Sequence, residues 1–317
     1  YPKNRIKVLL LDGVDEAAAI SFEAEGYQVI RAPKKISKSA LFKSLKDVSI
    51  LGVPAHFSIN EELLSHTNRL MAIGIFCGGT NHVDLGTAAS QGIIVFNAPY
   101  ANTRSLVELA IGNIIMLFRN VPYLSRQLQE GKWITPKQPG QEIRNKKLGI
   151  IGYGNSGTQL SVLAESLGMN VYYYDIFDQQ AIGNATQCRS LRDLLRRVDV
   201  VSIHVDNRPE NHQFFGKREF KAMRDGAYLV NLSSGQAIDM NELYKQLKSK
   251  KLSGAAIDVF SEEPDNFQTE FTSRLTQLDN VLLTPHIGGQ TEEAIHNTAA
   301  ILPTQIIDYV NTSLRRH

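Results

Sequence analysis

A glycine-rich turn between an apolar run and a helical pattern constrains the fold of this chain more than any other feature. The run Leu148–Ile151 has the pattern of a buried strand, the turn contains Gly152, Gly154 and Gly157, and residues 158–167 have the pattern of a helix. In a dinucleotide site the first glycine makes a tight turn, the second lets the backbone approach a pyrophosphate, and the third lets the helix pack on the strand. The stretch therefore predicts a Rossmann-type strand–turn–helix unit.

The residues around this turn indicate which dinucleotide would bind. Free N–H groups at the helix start, at about Asn155 and Ser156, would face an anion with the positive end of the helix dipole. A second strand at 171–174 ends in Asp175, close to the spacing of about 20 residues at which an acid binds the adenosine ribose hydroxyls. Because that carboxylate repels a 2′-phosphate, the sequence predicts NAD rather than NADP. A glycine turn that binds nothing is the less favoured alternative.

Length and composition indicate a globular protein of two domains. The chain has 317 residues, of which 43% are hydrophobic and 21% charged. Its 34 basic and 32 acidic residues nearly balance and form no basic run, so we expect neither nucleic acid nor a membrane as partner. No apolar run reaches about 18 residues and no signal-peptide pattern opens the chain, which predicts a cytoplasmic protein. The spacing of the two cysteines and of the histidines predicts no metal site.

The N-terminal third alternates short β-rich runs with amphipathic segments, the pattern of a parallel sheet covered by helices. The predicted strands are 7–11, 27–30, 49–53, 70–76 and 93–96. A final helical pattern, at about 291–310, is too short for a domain and is expected to return to this sheet. The sequence thus predicts a discontinuous, flavodoxin-like α/β substrate domain, 1–98 and 291–317, and a doubly wound, Rossmann-type nucleotide domain, 99–290.

Two segments at the start of the nucleotide domain predict a buried helix and an arm. Residues Ser105 to Glu108 have a capping-box pattern, which predicts a long helix that continues to about Arg119. Because this helix is apolar around much of its circumference, we expect it to be buried, within the domain or against a second subunit. The polar stretch 130–147 surrounds the only tryptophan, Trp133, and predicts an ordered loop or arm.

Several long motifs resemble those of one known family. They are Phe96–Pro99, Lys147–Gly154, Leu163–Met169, Gly183–Gln187, Gly254–Phe260 and Leu282–Gly289. On these motifs the chain resembles the NAD-dependent D-2-hydroxyacid dehydrogenases over nearly its whole length, and within them the bacterial D-3-phosphoglycerate dehydrogenases without their C-terminal regulatory domain. The resemblance implies hydride transfer between NAD and a 2-hydroxy or 2-keto acid that is similar to 3-phosphoglycerate.

The resemblance also implies which residues carry the chemistry. His286, in Thr-Pro-His-Ile-Gly-Gly, matches the general acid/base, and Glu263, in Phe-Ser-Glu-Glu-Pro, matches its carboxylate partner. Such a carboxylate fixes the tautomer and raises the pKa of the histidine, which can then give a proton to a carbonyl oxygen as hydride arrives. Asp258 matches the residue that meets the nicotinamide amide.

The remaining site residues follow from the same resemblance. Gly78 and Gly79 match the loop whose backbone N–H groups bind the substrate carboxylate. Family members are commonly homodimers joined through the nucleotide-binding domain, an arrangement that the apolar helix and the Trp133 arm would suit. The other expected cofactor-binding residues are His204, Val205, Leu232, Gly288 and His286 itself, and the other expected substrate-binding residues are Ala55, His56 and Asn81.

Two positions depart from the family pattern. The family motif Asn-x-Ser-Arg-Gly appears here with Ser234 in place of the arginine that clamps the substrate carboxylate and polarises the reacting carbonyl. In the substrate loop, Pro54-Ala55 replaces the Arg-Ser of phosphoglycerate dehydrogenases. Loss of one partner of a desolvated charged pair costs roughly 2–5 kcal/mol. At about 1.4 kcal/mol per decade this is a roughly 30- to several-thousand-fold loss of transition-state stabilisation. A serine hydroxyl is too short to span a guanidinium's reach.

These departures leave three interpretations open. The retained His286 and Glu263 favour an active NAD-dependent oxidoreductase with an altered substrate or reduced activity. The serine at 234 favours an NAD-binding homologue without turnover that acts as a sensor or partner protein. In the third, the fold performs other chemistry, such as hydration or isomerisation, with NAD as a fixture. His56 or Arg208 could supply the missing positive charge, although a surface role is favoured for each.

Overall fold

The chain is divided into two compact units. The computed structural model describes residues 2–54, 57–80, 82–136, 138–264 and 270–315. The first unit contains the described residues up to Asn102 and from Gly289 onward, and the second contains those from Thr103 to Gly288. The predicted boundaries follow residues 98 and 290. The structure places the first boundary later, after residue 102, and the second one earlier, after residue 288. The first difference arises because the helix that opens the second unit begins at Thr103.

The first unit is a five-stranded parallel sheet with helices. Its strands lie in the order β2-β1-β3-β4-β5, which is the flavodoxin-like order 2-1-3-4-5. The strands are β1 (Lys7–Leu10), β2 (Gln28–Arg31), β3 (Ile50–Pro54), β4 (Ala72–Phe76) and β5 (Ile94–Asn97). The helices are α1 (Glu16–Ala24), α2 (Lys38–Leu45), α3 (Glu61–Leu64) and α4 (Leu85–Ser90), together with α11 (Glu292–Arg315) from the C-terminal end.

Helix α11 packs on the sheet of the first unit although some 200 residues separate them in sequence. Leu302 and Ile306 are fully buried in a core that also contains Phe22 of α1. A Cβ at Gly74 of β4 would lie 2.7 Å from Cδ1 of Ile306, so this strand position accepts only glycine without repacking of the helix. The last helix is therefore an integral layer of the first unit.

The second unit is a seven-stranded parallel sheet in the order β12-β11-β10-β9-β6-β7-β8. Numbered within the unit, β6 is its first strand, so the order contains the doubly wound arrangement 3-2-1-4-5-6 with one more strand at the edge. The strands are β6 (Lys147–Ile151), β7 (Asn170–Tyr174), β8 (Thr186–Gln187), β9 (Val200–Ile203), β10 (Ala227–Asn231), β11 (Leu252–Ile257) and β12 (Val281–Leu283). The helices are α5 (Thr103–Phe118), α6 (Val121–Gln129), α7 (Asn155–Ser166), α8 (Leu191–Arg197), α9 (Lys217–Ala222) and α10 (Met240–Lys248).

Helix α5 is buried in the second unit, but the predicted capping box at its start is wrong. The helix begins at Thr103, so Ser105 lies inside its first turn. Glu108 instead pairs with Arg104 one turn earlier, with 2.5 Å between Nε and Oε1. This i,i+4 pair occupies the carboxylate that a capping box would need. The predicted apolar character holds, because Val107, Ala110, Ile114, Leu117 and Phe118 are all buried in one core cluster.

Helix α6 and the segment after it leave apolar side chains on the surface. None of the residues of α6 is buried in this unit, and Leu128 is 55% exposed. Trp133, in the following non-helical segment, is 86% exposed. No single helix among the described residues has the length and apolar composition of a membrane span. Only α5 and α6 taken together pass those criteria, and they bend by 70° at their junction.

The contact between α7 and the turn after β6 gives a stability prediction. A Cβ at Gly157 would lie 2.2 Å from the backbone oxygen of Gly152, which cannot rotate away. We expect Gly157→Ala to lower the free energy of unfolding, measured by urea titration, by about 1–3 kcal/mol. Gly112→Ala in α5 is the matched control, because a Cβ there meets no atom within 4 Å. That change should stabilise its helix by roughly 0.5–1 kcal/mol, and equal effects of the two substitutions would contradict the prediction.

Candidate nucleotide and active site

The glycine turn after β6 lies at the edge of the sheet where a dinucleotide would bind. Gly152 has a φ of +88°, and a Cβ there would lie 2.5 Å from the carbonyl oxygen of His204. Gly154 is the N-cap of α7, and a Cβ on it would meet nothing within 4 Å. The backbone at Gly154 is thus open to an incoming group, and the helix start provides N–H groups for an anion. This geometry fits the pyrophosphate of NAD.

His204, the residue after β9, joins this strand to the start of α7. Its Nε2 lies 2.8 Å from Oγ of Ser202, and its Nδ1 lies 3.1 Å from Oγ of Ser156. Burial lowers the pKa of His204 to about 4, so the ring is neutral at physiological pH. The histidine therefore fixes the Ser156 side chain next to the helix start and adds no charge there. Asn155, the first residue of α7 and the neighbour of Ser156 in sequence, is exposed.

Asp175 follows β7 directly and is half-buried. Its Oδ2 accepts a hydrogen bond of 2.6 Å from the backbone N–H of Tyr153, and its Oδ1 accepts one of 2.9 Å from that of Phe177. These bonds fix the carboxylate beside the glycine turn, and each oxygen keeps a second lone pair for a ribose hydroxyl. The position and charge of Asp175 fit the adenosine ribose of NAD.

Asp258, immediately after β11, organises the loop that carries His286. Its carboxylate is fully buried and accepts hydrogen bonds from Oγ1 of Thr284 at 2.5 Å, from the N–H of Ile287 at 2.9 Å and from the N–H of Gly288 at 2.8 Å. Gly288 has no room for a side chain, since its Cβ would lie 2.9 Å from Oδ2 of Asp258. In this structure Asp258 therefore fixes the loop that carries His286. Its expected contact with the nicotinamide amide stays a prediction.

His286 lies on that loop and forms a pair with Glu263. The distance between Nδ1 of His286 and Oε2 of Glu263 is 2.7 Å. His286 has a φ of +54°, a left-handed conformation that is uncommon outside glycine and is held here by hydrogen bonds from its N–H to the carbonyls of Asp258 and Thr284. Non-glycine residues in such conformations cluster at functional sites. The side chain is more than half exposed, so it is open to a substrate.

The pKa values of this pair shift in opposite directions. The hydrogen bond to Glu263 raises the pKa of His286 above its ordinary value, against an opposing effect of burial. Burial favours the neutral acid at Glu263, but the hydrogen bonds from His286 and from the N–H of Phe260 outweigh it and lower the pKa of Glu263. The pair therefore favours an imidazolium beside a carboxylate, which is the state of a general acid poised to donate a proton.

The other predicted cofactor residues follow neighbouring strands of the same sheet. Leu232, after β10, is buried in the core cluster that contains Tyr153. Val205, after β9, is half-buried against the cluster on the opposite face. Both positions lie at the carboxyl ends of parallel strands, where ligands bind in open α/β sheets. Their contacts with a cofactor stay predictions.

The predicted substrate loop of the first unit is described only in part. The carbonyl of Gly78 accepts a 2.8 Å hydrogen bond from Nδ2 of Asn97, and that of Gly79 accepts one from Sγ of Cys77 at 3.2 Å. A Cβ at Gly79 would meet nothing within 4 Å, so its backbone is accessible. The predicted substrate-binding residues Ala55, His56 and Asn81 lie outside the described residues.

Comparisons with known proteins assign the chain to a family. Residues 111–288 match the model of the D-isomer specific 2-hydroxyacid dehydrogenase, NAD binding domain. The chain is 46% identical over 308 residues to a D-3-phosphoglycerate dehydrogenase of Escherichia coli K12, covering 97% of this chain and 75% of that protein. It is 42% identical to D-3-phosphoglycerate dehydrogenase 2 of Saccharomyces cerevisiae, covering 98% and 68%. This protein belongs to the D-2-hydroxyacid dehydrogenase family.

Solved structures confirm the predicted fold class of this dehydrogenase. TT0316 protein from Thermus thermophilus superimposes with a TM-score of 0.81 at 26% identity, over 94% of each chain. D-lactate dehydrogenase from Aquifex aeolicus, solved with NAD and lactic acid, gives 0.81 at 24% identity over 97% of this chain and 96% of that one. The predicted family and cofactor class are likewise confirmed, and the dehydrogenase is an NAD-dependent oxidoreductase.

Ser234 of the dehydrogenase has no open space around it. The residue is 3% exposed, and its hydroxyl donates to Oδ1 of Asn207 at 2.8 Å. Its carbonyl accepts a 2.8 Å hydrogen bond from Nδ2 of Asn231, which is fully buried. Arg208, one candidate for the missing charge, binds the carboxylate of Asp206 through Nε at 2.7 and 3.0 Å. Sequence reasoning missed Asn207, because no local pattern marks a loop amide that bonds a residue 27 positions later.

The pairing of His286 with Glu263 gives a titration prediction. We expect Glu263→Gln to lower the pKa of His286, because the charged partner that favours the imidazolium is removed. The measurement is an NMR titration of the imidazole Cε1 proton, whose midpoint should move to lower pH. Glu262→Gln is the control, since this neighbouring carboxylate is exposed and Nδ1 of the ring binds Glu263 instead. An unmoved midpoint in Glu263→Gln would contradict the assignment.

Proposed function

We propose that this dehydrogenase interconverts a 2-keto acid and a 2-hydroxy acid, with His286 as general acid/base and Glu263 as its carboxylate partner. The observation that carries this proposal is the 2.7 Å contact between Glu263 and His286, which lies on a loop fixed by Asp258. NADH, held by the glycine turn after β6 and by Asp175, would supply the hydride to the keto carbon. The imidazolium of His286 gives its proton to the carbonyl oxygen and becomes neutral, and Glu263 keeps the ring oriented throughout.

Because the donor must be protonated, the direction of the pKa shift sets the pH dependence. The raised pKa of His286 keeps the imidazolium present to higher pH than an ordinary histidine would. We expect kcat/KM for keto-acid reduction to fall as pH rises through that pKa. Oxidation of the hydroxy acid requires the neutral ring and should show the reverse trend.

We further propose that the substrate range differs from that of the phosphoglycerate dehydrogenases. Support comes from Ser234, whose hydroxyl is occupied by Asn207, and from Arg208, whose charge is paired with Asp206. In this arrangement neither residue offers a free cation to a substrate carboxylate. In the first unit, the backbone N–H groups of Gly78 and Gly79 would then be the principal carboxylate donors. Turnover of 3-phosphoglycerate should accordingly be weak.

A panel of 2-keto acids with NADH, followed by absorbance of the reduced cofactor, tests the proposed reaction. We expect the wild-type protein to reduce at least one member, and we expect His286→Ala to show a large loss of kcat at saturating NADH. A wild-type protein that binds NADH but reduces no member would favour the sensor or partner function. Full activity in His286→Ala would exclude this histidine as the proton donor.

Restoring the family arginine tests the argument from Ser234. We expect Ser234→Arg, combined with Asn207→Ala to make room, to raise kcat/KM for keto acids by at least about tenfold. The single substitution Asn207→Ala is the control, because it creates the space without adding the arginine. An equal rate in the control and the double variant, with NADH affinity intact, would show that position 234 does not limit turnover.

We also propose that the protein is a homodimer that works in the cytoplasm. The apolar surface of α6 and the exposed Trp133 would be covered by a second copy, and the two free cysteines are compatible with a reducing compartment. Light scattering should give twice the 35.3 kDa of one chain. Leu128→Glu combined with Trp133→Glu should give single chains, because charges would be buried at the interface. A wild-type monomer would contradict the proposal.

A further inference from the structure

A stacked pair of tyrosines lies beneath the glycine turn. Tyr153 is the residue between Gly152 and Gly154, and its ring stacks on that of Tyr173 in β7, with centroids 3.7 Å apart and planes inclined by 16°. Both residues are 1% exposed. A buried tyrosine hydroxyl needs a hydrogen-bond partner, so the partners of these two hydroxyls show what the pair holds.

Both hydroxyls reach the same stretch of chain. The Tyr153 hydroxyl lies 3.0 Å from Oγ of Ser161 in α7 and accepts a 3.3 Å hydrogen bond from the N–H of Ile182. The Tyr173 hydroxyl donates to the carbonyl of Gln179 at 2.7 Å. The segment 176–182 thus has two anchor points on the tyrosine pair, one at each phenol.

This segment has neither helix nor strand structure, and it follows the ribose-binding candidate Asp175 directly. Its start is fixed by the bond from the N–H of Phe177 to the Asp175 carboxylate. Ile176 is 68% exposed and Phe177 is 57% exposed, so two apolar side chains stand in solvent next to that carboxylate. An apolar surface beside the ribose acid is a suitable wall for a purine ring.

We propose that Tyr153 and Tyr173 are positioning residues for the adenosine half of NAD. Their hydroxyls set the position of segment 176–182, and the adenine packs against the apolar side chains at its start. Tyr153 also links this segment to the ribose acid, because its own backbone N–H donates to Asp175. The inference requires only that NAD binds, and it stands whether or not Ser234 limits turnover.

Substitutions that remove one hydroxyl and keep the ring test this inference. Tyr153→Phe and Tyr173→Phe should each raise the Kd of NADH, measured by fluorescence titration, by about three- to tenfold. The Ki of AMP as a competitor of NADH should rise by the same factor, because AMP contains the adenosine half. The Kd of reduced nicotinamide mononucleotide, which lacks adenosine, should not change.

Tyr172→Phe is the matched control. Tyr172 precedes Tyr173 in β7 but packs on the opposite face of the sheet, against a different core cluster. Its substitution should leave all three affinities unchanged. If Tyr153→Phe does not fold, Tyr173→Phe alone carries the test, because its hydroxyl has a separate anchor.

Two results would overturn the inference. A lower melting temperature with unchanged NADH and AMP affinity would mean that the pair only stabilises the fold. Equal weakening of NADH and of the mononucleotide would mean that the tyrosines act through the glycine turn rather than through the adenosine side. Failure of keto-acid reduction in the wild-type protein bears on the proposed reaction and leaves these binding measurements unaffected.

Discussion

The backbone at Gly152 lies so close to the carbonyl of His204 that no side chain fits between them. Any side chain at Gly152 would lie 2.5 Å from that oxygen, so the ends of β6 and β9 can be adjacent only with glycine there. The positive φ then turns the chain into α7, whose third residue, Gly157, packs even more closely on the turn, since a Cβ there would lie 2.2 Å from the oxygen of Gly152. The open N-terminus of α7, the position of Tyr153 and the bond to Asp175 all follow from this geometry.

A second constraint acts on the loop after β12, which carries His286. Asp258 is a fully buried carboxylate with three donors, an arrangement that offsets the cost of its desolvation. It holds His286 in a left-handed backbone conformation with its ring directed to Glu263. The proposed catalytic pair is therefore oriented by a residue that is itself removed from solvent.

The two halves of the site differ in what they provide. The predicted nucleotide half has an open helix start, a fixed carboxylate at the position expected to bind the ribose, and a neutral histidine that adds no competing charge. The other half contains His286, the proposed proton donor, whose pKa is raised, but the position of the family arginine carries Ser234, bound to Asn207. Arg208 is neutralised by Asp206 in the same loop. The proposed cofactor contacts are therefore present, whereas the charge that the family motif places at position 234 is absent.

The sequence by itself determined the fold class, the family and the cofactor class. These follow from local patterns, namely the glycine spacing before α7, the alternation of short strands with helices, and the long motifs around Asp258 and His286. Such patterns can be recognised in a sequence because each involves residues that lie close together along the chain. The start of α5 was predicted wrongly, because the ion pair of Arg104 with Glu108 and burial in the core outweigh a local capping pattern.

Only the tertiary structure decided how residues far apart in sequence combine. It placed Asn207 on Ser234, closed the space at the arginine position, and showed that the Asp258 carboxylate binds the loop 284–288. It also stacked Tyr153 on Tyr173 and anchored the segment after Asp175 to both. The physical reason is that side-chain hydrogen bonds and ring stacking depend on distances across the sheet edge, which no spacing along the chain specifies.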